Sequence, residues 1–478
     1  MYFVLSFFFL TTFIHSEETK NDTLLFVHVH FRHGARSPMS INKEGKDYFN
    51  NTWDFPGELT PAGKRMEYIL GLVLRYHYST FISETYDPRE IYLISSDINR
   101  TIQSGYSMLQ GLYQSNSGPK INDNQSHYAV APVNLSDPAI KDEIKALNNS
   151  AISNQKNVIP IHVYNIKEHR FLLQDPENCE TLYTNHKMNL KMKSVEDIIQ
   201  KFKSTIKNIR SDFLERLGVT EENLNFTYVS TFADQFVSGY YNNKKFEKFD
   251  FTPEKIQELL ELSNEILTIS IRDQAFANGT DDSAIMASSP LFREMLTFMN
   301  RSTLRPGNLS YSDASYPKMY LVSGHDSSVG AAELFMQKAF NLNASDYYHP
   351  FYASNIRFEL YKNGSVNETE QNPELYYVKY YFNEKLLQTW NYSLFNRTIR
   401  ANLFTNEQIA EFCNFKSYGL SLLWWTNIIL GIFCVLTIIG IVYIYVTQKN
   451  KIENENNGVV HAELLPDQHN QIEDSLKL

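Results

Sequence analysis

The sequence has no excess of basic residues, no internal repeat and no long low-complexity run. Its 44 Lys and Arg against 54 Asp and Glu give a net charge of −10, which argues against a nucleic-acid-binding protein, because a phosphate backbone attracts basic surfaces. The lack of a repeat of about 20–50 residues excludes solenoids and propellers. The 478 residues, 43% of them hydrophobic, are instead enough for two domains or for one domain with a large insertion.

Cysteine is also scarce, since only Cys179, Cys413 and Cys434 occur. Cys434 lies inside a long apolar run near the C-terminus. Cys179 and Cys413 are therefore the only pair outside that run that could form a disulfide, which an oxidising compartment would allow. The sequence alone leaves open whether the bond forms.

Two apolar segments lie near the ends of the chain. Residues 1–16 have the length of a signal peptide and are too short to span a bilayer comfortably, although the start of the segment carries no Lys or Arg. Residues 419–446 are long enough to span a bilayer and carry aromatic residues at both edges. Lys449 and Lys451 follow at once, which places the tail, residues 447–478, in the cytoplasm.

Many Asn-x-Ser/Thr sequons lie between these two segments. A large number of sequons after a signal peptide fits a glycosylated domain in a lumen or outside the cell. The sequence therefore predicts a single-pass type I membrane protein whose lumenal or extracellular domain comprises residues 17–418.

The most distinctive stretch is an apolar run, Leu24–Phe31, that ends in Arg32-His33-Gly34-Ala35-Arg36-Ser37-Pro38. The run with its valines predicts a buried strand, and the glycine and proline predict a tight loop after it. Open α/β sheets bind ligands at strand ends. Arginines that flank a histidine there indicate a phosphate site with a nucleophile or base in its middle.

Two further predicted strands end in ionisable residues. Ile91–Ile94 leads into a segment in which we expect Asp97 to cap a helix and Arg100 to lie in its first turn, where free N–H groups favour an anion. Met319–Ser323 leads into Gly324-His325-Asp326. Because the ends of parallel strands share one edge of a sheet, we expect all three strand ends to converge.

Strands that alternate with helices predict an α/β fold with a mainly parallel sheet and helices on both faces. Thr60 should cap a helix that begins at Pro61. From about residue 170 to residue 308 the pattern is mostly helical, which predicts a helical subdomain inserted between strands. Further predicted elements are an edge strand at Val158–Tyr164, a helix from Ser194 to Leu217 that stops at Gly218, a helix that opens at Thr252-Pro253, and strands at Ile356–Tyr361 and Tyr376–Phe382.

Three arginines around one small anion fit phosphate better than carboxylate, because each guanidinium group can donate two parallel hydrogen bonds to two phosphate oxygens. A neutral His33 can attack phosphorus, and the surrounding positive charge lowers its pKa. Asp326 is the best candidate to protonate the leaving oxygen and then to deprotonate the water that cleaves the phosphohistidine. His325 could donate a further hydrogen bond to the phosphoryl oxygens.

The motifs themselves resemble those of a known family. Arg32–Pro38 resembles the Arg-His-Gly-x-Arg-x-Pro motif of the histidine acid phosphatases, and Ser323–Asp326 resembles their second, His-Asp motif. Glu58–Gly63 and Ser95–Thr101 resemble two intermediate signatures. Order and spacing also fit over roughly residues 24–382. The apolar segment after the domain makes the chain similar to the membrane-anchored lysosomal and prostatic branch.

This resemblance implies a phosphoglycerate-mutase-like α/β fold with a helical cap, and an acid phosphatase that hydrolyses phosphate monoesters without a metal or cofactor. It implies a covalent phosphohistidine at His33, proton donation by Asp326, and phosphate binding by Arg32, Arg36, Arg100 and His325. The resemblance also implies a lysosome-like, vacuolar or cell-surface location. It implies a homodimer as well, although the sequence identifies no interface. Vertebrate members of this branch carry more cysteines, so only Cys179–Cys413 carries over as a disulfide.

Two other functions stay open. A phytase or inositol-polyphosphate phosphatase should need a strongly basic pocket, and no lysine cluster lies near the motifs, although folding could assemble one. A catalytically inactive membrane glycoprotein would be indicated by loss of His33, an arginine or Asp326, all of which are present.

Several other residues have competing interpretations. The His28-x-His30 pair is a ligand pattern of metal-dependent hydrolases, but we favour buried histidines that support the loop. Asp54, Asp97 and Asp234 are rival acids; Asp97 is expected to be a helix cap and the others structural or solvated.

Overall fold

The computed structural model describes residues 22–122, 125, 128–164, 179, 181, 193–246, 249–275, 282–304, 317–342, 350–366, 374–413 and 418–458. The predicted signal segment and the last part of the predicted tail lie outside the described residues. The chain divides into two compact units, Met1–Asn414 and Phe415–Leu478.

The first unit is built on one seven-stranded sheet. Its strands are β1 (Thr23–Arg32), β2 (Ile91–Ser96), β3 (His162–Tyr164), β4 (Met319–Gly324), β5 (Asn355–Lys362), β6 (Tyr376–Phe382) and β7 (Lys385–Asn391). Their order is β3-β2-β4-β1-β5-β6-β7. The first four strands in this order are parallel, and β5, β6 and β7 continue the sheet antiparallel. The predicted α/β class is confirmed, and the parallel half carries all three motif ends.

The described helices of this unit are α1 (Pro61–His77), α2 (Asn99–Leu112), α3 (Pro138–Leu147), α4 (Lys193–Ile209), α5 (Phe213–Leu217), α6 (Phe226–Tyr241), α7 (Pro253–Ala275), α8 (Asp282–Leu304), α9 (Asp326–Phe340), α10 (Tyr392–Asn402) and α11 (Asn406–Phe412). Successive side chains of β1 point to opposite faces of the sheet and so belong to two different hydrophobic clusters. Val27, Val29 and Phe31 pack with α1 and α2 on one face, whereas Phe26 packs with α8, α9 and α10 on the other. Helices therefore cover both faces of the sheet.

Helices α4 to α7 surround a separate aromatic core, which the loop after β1 enters. Phe49, from that loop, lies 5.4 Å from Phe232 and 5.7 Å from Phe236, measured between ring centroids. Ala35 and Tyr352 are buried in the same cluster. The loop that follows β1 is thereby anchored on the helices between β3 and β4.

Several local predictions can be compared with these elements. Thr60 does cap α1, and its side chain accepts a hydrogen bond from Gly63 N. The expected cap at Asp97 is wrong, because α2 begins at Asn99 after Ile98 and no side chain caps it. The single helix expected from Ser194 to Leu217 is divided into α4 and α5, and the left-handed Gly218 ends the second. β3 is shorter than predicted, and β7 was not predicted.

Cys179 and Cys413 form a disulfide, with their Cα atoms 4.6 Å apart. The bond connects residues 234 positions apart in the chain. It joins the segment before α4 to the residue that follows α11.

The second unit contains α12 (Tyr418–Gly458). Within it, Thr426–Ile452 is long and apolar enough to cross a membrane, with a mean hydropathy of 2.7. The helix continues through Lys449 and Lys451, beyond the predicted end at residue 446, because no proline interrupts this part of the chain.

Glu67 lies in the middle of α1 and is fully buried. Neither carboxylate oxygen has a hydrogen-bond partner among the described residues. Burial raises the pKa of Glu67 well above its usual range, so the folded state holds the neutral acid. Below the ordinary carboxyl pKa, Glu67 is neutral in both the folded and the unfolded state, so its raised pKa does not lower the free energy of unfolding. As the pH rises above that value, the unfolded state is favoured because only there does the carboxyl group ionise readily.

We expect Glu67→Gln to stabilise the protein at neutral pH and to change its stability little in acid. Because glutamine carries no charge at either pH, the gain in the free energy of unfolding should appear at pH 7 and be absent in acid. Urea unfolding of wild type and variant at acid and neutral pH measures it. Glu84→Gln, at an exposed carboxylate, is the matched control. An equal effect of Glu67→Gln at both pH values would contradict the explanation.

Candidate active site

The register of the parallel strands brings the three motif ends together. Arg32 on β1 pairs with Gly324 on β4, and Ser95 on β2 pairs with Ser323 on β4. The backbone N–H of His33 donates to Gly324 O at 3.0 Å. All three predicted segments therefore meet at one edge of the sheet.

Two glycines allow the loop after β1 to pack against the start of α1. A Cβ on Gly34 would lie 2.3 Å from Gly63 O, and a Cβ on Gly63 would lie 2.0 Å from Ala35 O. Thr60 donates both its N–H and its hydroxyl to Ala35 O, each at 3.0 Å. The Glu58–Gly63 signature thus shapes the loop that carries His33.

The imidazole of His33 is held in one tautomer. Nδ1 lies 2.8 Å from Gly34 O, and since a carbonyl oxygen only accepts, Nδ1 carries the proton and Nε2 has a free lone pair. Burial, followed by the charges of Arg100 and Arg32, holds the pKa of His33 well below its usual range. The ring is therefore neutral and able to act as a nucleophile.

Two of the three arginines are paired with carboxylates. Arg32 contacts Asp326 at 2.7 Å and lies 4.4 Å above the ring of Tyr352. Arg36 contacts Asp234 at 2.7 Å. Burial disfavours the charge on Arg36, but the carboxylate of Asp234 outweighs burial and raises the pKa of Arg36.

Arg100 contributes positive charge that no salt bridge among the described residues balances. Its Nη2 donates to His325 Nδ1 at 3.3 Å. Burial and the neighbouring Arg36 lower the pKa of Arg100 to about 10. The three guanidinium groups and the two carboxylates leave one net positive charge, which favours an anionic ligand.

Each of the three guanidinium groups has an unused donor. The buried Nε atoms of Arg32, Arg36 and Arg100 have no hydrogen-bond partner among the described residues. A buried donor without a partner costs about 1–3 kcal/mol. A ligand with several anionic oxygens would satisfy these donors, and phosphate has that form.

His325 is part of a hydroxyl network behind the site. Because Arg100 can only donate to Nδ1, the proton of the neutral ring lies on Nε2, which donates to Ser96 Oγ at 2.9 Å. Ser96 Oγ lies 2.7 Å from Thr101 Oγ1. Burial, followed by Arg100, lowers the pKa of His325 well below its usual range.

Asp326 begins α9 and is more exposed than the arginine that it pairs with. Its side chain is 27% exposed, against 3% for Arg32. Its Oδ1 accepts the N–H of Ser327 at 2.9 Å, while Oδ2 faces Arg32. The carboxyl group is therefore oriented and still reachable by solvent, as a proton-transfer group must be.

His28 and His30 lie behind this edge and are buried. His28 Nδ1 donates to Tyr320 O at 3.1 Å, and His30 Nε2 contacts Ser328 Oγ at 3.0 Å. Burial lowers the pKa of His28 to about 3. Within the described ranges, no group of three or more His, Cys, Asp or Glu could hold a metal ion.

The sequence did not identify every residue that lies at the site. Tyr352, beside Arg32 and His33, was not singled out because no motif surrounds it. Asp234 was considered only as a rival acid, and its partner Arg36 is 198 positions away. The one available signal was that α6 is mostly apolar and therefore buried, because a buried aspartate is usually paired with a cation. Asp97 is exposed and does not cap α2.

The fold and this edge define an α/β protein with a neutral histidine set among arginines. A family model of the histidine phosphatase superfamily (branch 2) matches residues 23–383. The chain therefore belongs to the histidine phosphatase superfamily, branch 2.

Two comparisons with named relatives agree with this membership. The chain is 25% identical to prostatic acid phosphatase of Homo sapiens over 383 residues, which cover 78% of this chain and 82% of the relative. Lysosomal acid phosphatase of Homo sapiens is 34% identical over 109 residues, 23% of this chain and 26% of the relative.

Solved structures of phytases share the fold. The apo phytase of Hafnia alvei has a TM-score of 0.51 at 12% identity and covers 80% of this chain and 98% of its own. The phytase of Citrobacter braakii has a TM-score of 0.51 at 15% identity, with 80% and 98% covered. At these identities the likeness concerns the fold alone.

Proposed function

We propose that the chain is an acid phosphatase that hydrolyses phosphate monoesters through a covalent phosphohistidine on His33. The observation that carries the proposal is that the buried Nε–H donors of Arg32, Arg36 and Arg100 have no partner among the described residues, next to a histidine whose proton on Nδ1 leaves the lone pair on Nε2. Membership of the superfamily and the relatives named acid phosphatase support the same activity.

In the first step, His33 Nε2 attacks phosphorus and forms a P–N bond while the P–O bond to the leaving group breaks. The three guanidinium groups hold the phosphoryl oxygens and offset the charge that develops on them. Asp326 gives its proton to the leaving oxygen, so the alcohol departs neutral.

In the second step, water attacks phosphorus and the P–N bond breaks. Asp326, now a carboxylate, accepts a proton from the water, and phosphate leaves. His325 can donate to the phosphoryl group if Arg100 turns towards phosphate and the imidazole proton moves to Nδ1. Ser96 supports both tautomers, because its hydroxyl can accept from Nε2 or donate to it.

An acidic medium suits both groups. The lowered pKa of His33 keeps its ring unprotonated in acid, where an ordinary imidazole would be charged. The first step requires a protonated Asp326, which acid supplies. We therefore place the activity in an acidic compartment, in agreement with the lysosomal name of one relative.

The rim of the site favours monoesters with apolar leaving groups over inositol polyphosphates. Met39 is 52% exposed. A Cβ placed on Gly57 would lie 3.1 Å from Met39 Sδ and 3.7 Å from Arg100 Nη1, so the thioether borders the phosphate site. Lys244 is engaged with Thr52 O at 3.0 Å.

The test uses the full chain in detergent, with an aryl phosphate and inositol hexakisphosphate as substrates between pH 4 and pH 8. We expect kcat/KM to be at least about tenfold higher for the aryl phosphate, because added phosphates would meet an apolar rim, and activity to decline towards neutral pH. Preference for inositol hexakisphosphate would favour the phytase alternative. No turnover of either substrate would favour an inactive glycoprotein.

The apolar span in α12 supports a membrane anchor. We further propose that residues 1–16 are a signal peptide, that the phosphatase domain is lumenal or extracellular, and that the segment after the span is cytoplasmic. Exposed sequon asparagines such as Asn50 and Asn134 are accessible to glycosylation. The homodimer that the resemblance implies stays a prediction.

A further inference from the structure

Helix α6 presents a polar face to the phosphate-binding loop. Asp234, Ser238 and Asn242 recur every four residues along the chain, which places them on one side of the helix and its C-cap. Gln235 lies beside them and is 2% exposed. These side chains come from the helices between β3 and β4, whereas the loop follows β1.

Most contacts of this face are hydrogen bonds to the backbone of the loop. Gln235 accepts from Tyr48 N at 2.7 Å and donates to Ser40 O at 2.8 Å. Asn242 donates to Arg36 O at 3.3 Å. Neutral groups of this kind hold the course of the loop without changing the charge of the site.

Asp234 differs because it is charged and contacts a phosphate-binding side chain. Its Oδ1 accepts from Arg36 Nη2 at 2.7 Å, and its Oδ2 accepts from Met39 N at 2.8 Å. Arg36 Nη1 donates to Ser37 O at 2.9 Å. Each terminal nitrogen of Arg36 thus donates one of its two N–H groups, and the buried Nε is the guanidinium nitrogen that has no partner among the described residues.

We propose that Asp234 is a positioning residue with two effects on catalysis, an inference that rests on the proposed phosphatase function. It fixes the orientation of the Arg36 guanidinium, so that Nε is directed to the phosphoryl group. Its negative charge also offsets Arg36 and weakens the hold of the site on the product. Phosphate must leave after each turnover, and a site in which both Arg36 and Arg100 lacked a carboxylate partner would retain it more strongly.

The two effects can be separated by substitution. Asp234→Asn keeps the shape of the side chain and one acceptor oxygen and removes the charge, while its NH₂ group faces one of the two donors that Asp234 binds, Arg36 Nη2 or Met39 N. We expect the inhibition constant of inorganic phosphate to fall about three- to tenfold, since a like charge near the anion has been removed, and kcat to fall as product release slows. Asp234→Ala removes the acceptor as well. In that variant we expect kcat/KM to fall at least about tenfold and phosphate to bind more weakly.

Tighter phosphate binding together with lower kcat is a result that damage to the fold would not produce, because a loosened site loses both. Asp47→Asn is the matched control. Asp47 is a buried carboxylate of the same loop that binds Trp53 Nε1 at 2.9 Å and Phe49 N at 2.9 Å, and among the described residues it contacts no arginine. It should leave the inhibition constant of phosphate unchanged.

All variants are assayed as full chains in detergent with an aryl phosphate and with inorganic phosphate as inhibitor, and thermal unfolding verifies folding. If Asp234→Asn does not fold, Asp234→Ser removes the charge and keeps a hydroxyl acceptor for Met39 N. An inhibition constant equal to that of wild type, or an equal shift in Asp47→Asn, would overturn the inference. A wild type without turnover would instead reject the proposed function, so the two failures are distinct.

Discussion

His33→Ala is expected to lower kcat on an aryl phosphate by at least about 10⁴-fold, the scale on which loss of a catalytic nucleophile acts. The reason is geometric, since the Nδ1–H of His33 is bound to Gly34 O and only Nε2 is directed away from the backbone. Steady-state kinetics on the full chain and mass analysis of the acid-labile phosphoenzyme measure the effect. The variant should form no phosphoenzyme.

His162→Ala is the matched control for this variant. His162 is an exposed histidine that lies against Tyr92, with 4.5 Å between ring centroids, and it has no place in the proposed mechanism. Its replacement should leave kcat within about twofold of wild type. A His33→Ala enzyme with normal turnover would rule out the phosphohistidine mechanism.

Asp326→Ala is expected to lower kcat by about 10²–10⁴-fold, the range in which general acid–base groups act. The loss should be larger for an alkyl phosphate than for p-nitrophenyl phosphate, because a poor leaving group depends more on the proton. With p-nitrophenyl phosphate the first step stays comparatively fast and the second is slowed. The phosphohistidine should therefore accumulate, which quenched-flow trapping with labelled substrate would detect.

Alanine is preferred at this position because Asp326→Asn would create an Asn-Ser-Ser sequon with the next two residues. Asp97→Ala is the control, since this rival acid is exposed at the end of β2 and no side chain caps α2. If both variants lost activity equally, or if only Asp97→Ala did, the assignment of the proton donor to Asp326 would be wrong.

Local features of the chain were predicted where short-range physics decides them. A strand rich in β-branched residues, followed by glycine and proline, identified the loop at His33, and the Thr60-Pro61 pair identified the start of α1. The strand β2 was predicted, but it runs two residues beyond the predicted end at Ile94, and the predicted cap of α2 at Asp97 was wrong. A polar residue near a helix start is a weak signal when, as at Ile98, the backbone already makes the first turn without side-chain help.

The convergence of the three strand ends was predicted, but two side-chain contacts between distant segments at the site were not. The salt bridge of Arg36 with Asp234 depends on how the helices between β3 and β4 pack on the loop after β1. The position of Tyr352 over Arg32 depends on the segment that precedes β5. The hydrophobic periodicity of the sequence predicts which face of α6 is polar, but it does not predict which element packs against that face.

The sequence by itself determined the candidate site residues of this protein and the strands that carry them: the histidine and the arginines of the first motif, and the His-Asp pair of the second. These properties are encoded within a few consecutive residues, because backbone conformation responds mainly to near neighbours. Only the tertiary structure decided the burial of His33, the charge balance around the arginines, and which Nε donors have no partner among the described residues. Those depend on distances between groups separated by up to hundreds of residues, as in the pairing of Arg32 with Asp326.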